Sequence, residues 1–140
     1  MGTEVTQDGR LWAILSYAGF FVGLPIAVVP LAQRKDDFAL FHAKHAMGVF
    51  VGFLVFYFGV FALAFLLFFV TCGLSNFVVI PVLGASLLWP LVTSIHGLVL
   101  ASDGRFEAPF GSFGLGERLF GTLRVETAPQ VTSAEPPPES

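Results

Sequence analysis

HAMGVFVGFLVFYFGVFALAFLLFFVTCGLSNFVVIPVLGASLLWPLVTSIHGLVLAS, residues 45–102, runs for 58 positions without an Asp, Glu, Lys or Arg. As one continuous helix it would extend ~87 Å, almost three times the ~30 Å hydrocarbon core of a bilayer. The chain must therefore turn inside the run. Thr71-Cys72-Gly73-Leu74-Ser75-Asn76 is its clearest turn-forming cluster. Two spans are expected, over about 46–72 and 77–101. Pro90 lies near the middle of the second, where it cannot donate to the carbonyl of Ser86, so a bend is expected there. Thr93 and Ser94, one turn on, are placed to satisfy freed backbone groups or to face a neighbouring helix.

Working outward, Leu11–Leu31 gives 21 further uncharged residues. Gly19, Gly23, Pro25 and Pro30 interrupt it, so it reads either as one kinked span or as a re-entrant hairpin. Halves of about ten residues are too short to cross a ~30 Å core, which favours one kinked span. The fold class expected is therefore all-α, an integral membrane bundle of three transmembrane helices.

Composition agrees with burial in lipid. The chain is 55% hydrophobic and 12% charged, with 17 Phe in 140 residues, whereas soluble domains average about a quarter charged. A soluble domain of this size could not cover so much apolar surface. The first ten residues form an N-terminal tail with more acid than base, unlike the basic start of a signal peptide, so the first apolar run is expected to remain as an anchor. Cys72 is the sole cysteine and excludes an internal disulfide.

With three spans, Arg34, Lys35, Lys44, Arg105, Arg118 and Arg124 share one side and Arg10 stands alone on the other. The positive-inside rule then puts the N-terminus outside and the C-terminus in the cytoplasm of a multi-pass bacterial inner-membrane protein. Residues 102–124 mix aromatics with charges. Phe106, Phe110, Phe113 and Phe120 keep near-helical spacing, as in an amphipathic segment lying in the interface. Residues 125–140 are rich in Pro and Glu and read as a disordered tail.

Chemistry-bearing residues concentrate at the edges of the long run. Asp36 or Asp37 can cap the helix that carries Phe38–Ala46. His42 and His45 stand three apart on one helical face, and His96 falls near the same end of the last span. Three such rings can hold a metal or haem, or each can bond to nearby backbone. With no acidic or thiol partner in the group, the backbone role is preferred and no cofactor is expected. Gly19-xxx-Gly23 and Gly48-xxx-Gly52 offer close helix packing. The stripe Phe50, Phe53, Tyr57, Phe61, Phe65, Phe68 suits lipid or helix contact. No nucleophile–base pair, phosphate loop or carboxylate dyad is present, so the chain is not expected to be an enzyme. No basic surface interleaved with aromatics points to nucleic acid.

Three short motifs carry a family resemblance. Arg10-Leu11-Trp12-Ala13-Ile14-Leu15-Ser16-Tyr17 resembles the opening of a family of small bacterial membrane proteins related to the twenty-kilodalton Tic subunit of the chloroplast inner-envelope translocon. Phe41, His42, Ala43, Lys44 and His45 are similar to its central signature, with His45 where Gln is usual, and Gly104 and Pro109 to its exit motif. The resemblance implies a Tic-like accessory or structural subunit of a membrane complex, or a role in protein transport. Its partners would be the bilayer and other membrane proteins or further copies of itself. The alternatives are a haem- or metal-holding subunit using His42, His45 and His96, and a small-solute channel or carrier built around Pro90, Thr93 and Ser94.

Overall fold

The computed structural model describes residues 5–126, which form α1 (Gln7–Val22), α2 (Val28–Gln33), α3 (Asp37–Val70), α4 (Asn76–Ser86), α5 (Leu88–Ser102) and α6 (Leu115–Phe120). No strand occurs among the described residues. The tail read over 125–140 lies, beyond Glu126, outside them.

Two interlocked caps start the fold. The Thr6 hydroxyl oxygen accepts the N–H of Gly9 at 2.9 Å and caps α1. One Asp36 oxygen accepts the N–H of Ala39 at 2.9 Å and caps α3. The Thr6 hydroxyl also donates to the other Asp36 oxygen at 2.7 Å. Joined at their N-termini, α1 and α3 run in the same direction. Ring contact between Phe20 and Phe53, centroids 5.8 Å apart, marks how far α1 reaches.

There the first segment turns back, so it is not the single kinked span expected from its sequence. Gly23 adopts a left-handed conformation, φ 71°. Its N–H donates to Phe20 O at 3.1 Å, and the N–H of Leu24 donates to Gly19 O at 2.9 Å. This is the Schellman pattern, which satisfies the last carbonyls of α1 within the turn. The segment is therefore a helical hairpin, α1 running out and α2 running back, with its backbone bonds closed within the turn. Gly19 packs against Leu24 and Ile26 of its own turn, and nothing lies near Gly23.

Two helical stretches among the described residues are long and apolar enough to cross a membrane, α3 and Asn76–Ser102. At 1.5 Å per residue the 34 residues of α3 extend about 51 Å, well beyond a ~30 Å core. Burial divides it. Phe38–Val49 pack into the protein, and no residue of α3 beyond Val49 is buried. Val51–Val70, twenty residues, would extend about 30 Å, the depth of the hydrocarbon. The second stretch breaks at Leu87, next to the Ser86 carbonyl that Pro90 cannot serve. The turn at Thr71–Ser75 closes on itself: the Thr71 hydroxyl donates to Leu67 O and accepts from the Ser75 N–H.

The molecule thus has a packed base and an exposed apolar hairpin. Both described ends of the chain lie at the base, since Thr6 bonds Asp36 and the Glu126 N–H donates to Arg34 O at 3.1 Å. The expectation of three spans placed the two termini at opposite ends of the bundle, whereas in the structure both described ends meet at the base.

Residues 102–124 do not form one interfacial helix. Gly104 turns the chain with φ 72°, and the short α6 then lies on α3. The approach is close because both contact points are glycine. A Cβ at Gly48 would stand 2.5 Å from Gly116 N, and one at Gly116 would stand 2.7 Å from Lys44 O. Gly52 faces Leu115 of the same segment. Replacing Gly48 by Leu should therefore lift α6 and cost about 1–3 kcal/mol. Gly59→Leu, with open space around it, should stay within about 0.5 kcal/mol of the parent. Thermal unfolding in detergent micelles, with tryptic cleavage at Arg118 as a reporter of α6 docking, checks the contrast.

Candidate functional site

The base is organised around His42, a fully buried residue of α3. Its Nε2 lies 2.8 Å from Arg105 O and its Nδ1 lies 3.3 Å from the Tyr17 hydroxyl. A carbonyl can only accept, so Nε2 carries the proton, and Nδ1 of the neutral ring accepts from Tyr17. One side chain thereby joins α1, α3 and the chain leaving α5. Phe38 and Phe41 pack edge-on against the His42 ring, and both reach Phe106. On the other side Gly97 of α5 admits the Tyr17 ring, whose Cζ would stand 2.5 Å from a Cβ there. Ala43, fully buried, completes the contact between α3 and the core.

The other two histidines are placed differently. His45 uses Nδ1 to donate to Phe41 O at 2.9 Å, one turn back on its own helix. His96 is exposed, and its Nδ1 accepts the N–H of Phe110 at 2.9 Å. That bond holds the loop after the buried Pro109 against α5. His42, His45 and His96 do not share a metal-holding group among the described residues. His42 has no ring nitrogen left to give. Gly104, with its left-handed φ, lies 3.0 Å from the Arg10 guanidinium when a Cβ is built on it, so it seats the N-terminal helix beside the exit of α5. Thr93, named for the channel alternative, spends its hydroxyl on Trp89 O at 2.9 Å.

Two grooves flank α6 on one face of α3. The first, about 670 Å³, is lined by Val51, Gly52, Val55, Phe56, Trp89 and Phe113 with residues of α6. Trp89 donates from its indole to Gly111 O at 2.8 Å, a placement typical of tryptophan at a membrane–water boundary. The second, about 620 Å³, opens on the base side of α6 between Asp37, Leu40, Phe41, Lys44 and the segment Leu123–Val125. Neither groove was readable from the sequence, because each depends on α6 folding back. The Gly48-xxx-Gly52 pair marked this face of α3 for close packing without indicating α6 as its partner.

Substituting His42 with Ala should leave the Tyr17 hydroxyl and the Arg105 carbonyl unpaired around a new cavity. A loss of about 2–4 kcal/mol is expected. His96→Ala, at an exposed site, should cost under about 1 kcal/mol. Thermal unfolding of both variants in the same detergent tests the difference.

Comparison with known proteins replaces the Tic-related assignment. Residues 8–113, 106 of the 140, match the model of the magnetosome magnetite crystal formation protein family, MamF/MmsF. No curated protein and no solved structure matches the chain. All three motifs that carried the Tic resemblance fall within the matched stretch. Their residues serve packing and turns here: His42 bridges helices, Phe41 packs edge-on against it, Gly104 reverses the chain. Such short signatures report how a small helical base is held together, and they do not separate one lineage from another. The transport role that rested on them falls with the resemblance. With two apolar helices long enough to span and a family match over most of its length, this chain is a membrane protein and belongs to the MamF/MmsF magnetosome magnetite crystal formation family.

Proposed function

We propose that the chain is a non-enzymatic membrane protein that acts in magnetite crystal formation from within the membrane around the crystal. It does so through contacts with lipid and with other membrane proteins or further copies of itself. The observation that carries this is the distribution of charge. All seven Lys and Arg, and every Asp and Glu among the described residues, belong to the base. The turn at the far end, Thr71–Asn76, carries none.

With α3 and α4–α5 as the two spans, the positive-inside rule makes the base cytoplasmic, both termini included. The uncharged turn then faces the crystal compartment. Hard metal cations favour oxygen donors, carboxylates above all. The turn offers hydroxyls, an amide and a thiol, a poor template for an iron mineral. Influence on the crystal is therefore exerted through the membrane. The apolar hairpin supplies the surface for it: Phe58, Phe61, Phe65, Phe69 and Phe77 are all exposed. The side chains that could do chemistry, His42 above all, are spent on holding the base together.

Crystal size in a deletion strain, measured by electron microscopy, tests the proposal. Re-expressing the chain with Ser75→Ala and Asn76→Ala together should restore wild-type crystals, since Thr71 still builds the turn. His42→Ala, which loosens the base, should restore them poorly. A double turn variant as defective as the deletion, at normal protein level, would instead make the turn the mineral contact.

A further inference from the structure

The groove on the base side of α6 contains a cation that the fold leaves without a partner. Lys44 is only 9% exposed, its stem packed into the core face of α3. Its ammonium makes no hydrogen bond and no ion pair among the described residues, where Arg105–Glu107 is the one salt bridge. The stem is buried while the ammonium is not sequestered, and the side chain lines a cavity of about 620 Å³ where an anion would find an unpaired cation. Arg124 lines the same cavity from the Leu123–Val125 segment. Arg34 adjoins it: its carbonyl accepts the N–H of Glu126, next to Val125 of the lining. Its Nε is buried with no hydrogen-bond partner. Two cations, Lys44 and Arg124, thus line a cavity whose one acidic lining residue is the exposed Asp37, with Arg34 nearby outside the lining.

The rest of the wall is apolar, with Leu40, Phe41 and Phe106. A site for a free, fully hydrated anion has no use for such a wall. A lipid does, since its phosphate is joined to glycerol and chains. Depth agrees. Lys44 precedes Val51, where the lipid-facing part of α3 begins, by seven residues or about 10 Å, within or just above the headgroup layer.

We infer that this groove binds the headgroup of an anionic phospholipid, with Lys44 and Arg124 holding the phosphodiester. Basic pockets beside membrane helices take such headgroups, and an arginine fork matches phosphate oxygens. Asp37 adds a selectivity. A carboxylate at the rim repels a dianionic phosphomonoester but accepts hydrogen bonds from a hydroxyl-bearing headgroup. Phosphatidylglycerol is therefore favoured over phosphatidate. The inference rests on the membrane depth assigned to the base and is independent of which leaflet the base faces.

Binding is read on the full chain in neutral detergent, by native mass spectrometry and by the thermal shift on adding phosphatidylglycerol, phosphatidylcholine, phosphatidate or inorganic phosphate. Phosphatidylglycerol should bind at least tenfold more tightly than phosphatidylcholine, and more tightly than phosphatidate. Lys44→Met, which keeps the stem and removes the charge, should weaken it about tenfold. Arg124→Gln, at an exposed position, should weaken it several-fold, and Arg118→Gln, outside the cavity, should leave it unchanged. If Lys44→Met fails to fold, Arg124→Gln against Arg118→Gln decides the matter. Equal binding of phosphatidylcholine, equal loss in all three variants, or inorganic phosphate competing at millimolar concentration as a free-anion site would overturn the proposal. None of these outcomes depends on crystal formation, so the lipid site and the proposed function can fail separately.

Discussion

The neutral imidazole of His42 is the interaction on which the base depends. It donates to the carbonyl of Arg105 and accepts from the hydroxyl of Tyr17, so three segments far apart in sequence share one ring. In a region where water is scarce, an unpaired polar group is costly and a satisfied one fixes geometry. The surroundings are arranged around that bond. Gly97 gives Tyr17 room to reach the ring, and Phe38 and Phe41 pack around it. The Thr6–Asp36 bond joins the starts of α1 and α3, and the long Tyr17 side chain reaches His42 from α1. Haem or metal ligation by this histidine would dismantle the junction that positions it.

Everything beyond the base follows from a second constraint, that backbone in hydrocarbon must bond to itself. The α1–α2 hairpin meets it with a Schellman turn at Gly23, and the distal hairpin meets it with the Thr71 hydroxyl and the left-handed Gly73. Neither turn requires a charge or water. That permits the far end of the molecule to be short and neutral, and it leaves every charged residue that is described at the base. The asymmetry of charge is thus a product of the fold and the source of the proposed orientation.

The distal half of this architecture was legible in sequence. An uncharged run too long for one helix predicts a hairpin, and the turn lies at the Thr71–Asn76 cluster that marks it. Asp36 capping α3 and the break ahead of Pro90 follow from the same local rules. The first segment differs from the single kinked helix its length suggested for a physical reason. Apolar length says that a segment can cross a membrane, whereas the left-handed Gly23 turns this one back on itself. The candidate grooves were hidden for a different reason: they exist only because α6 folds back onto Gly48. Two glycines 68 positions apart give no joint signal in a single sequence. The bonding partners of His42, a carbonyl and a phenol, leave no motif in the sequence.

Family membership accounts for residues 8–113 and ends just before α6. The α1–α2 hairpin, the His42 junction and both apolar helices lie inside the match, while Arg124 and the wall it adds to the basic groove lie outside it. The α6 segment, outside the matched residues, converts one face of α3 into two grooves.

The central claim, two spans with both chain ends on the side opposite Cys72, is tested most directly by thiol labelling of intact spheroplasts with a membrane-impermeant maleimide. Cys72 is exposed at the tip of the hairpin and serves as the native reporter. It should react without permeabilisation. Cysteines introduced at Val5 or Glu126, in a Cys72→Ser background, should react only after the membrane is opened. Reaction of Val5 and Glu126 from opposite sides would restore three spans and contradict the account.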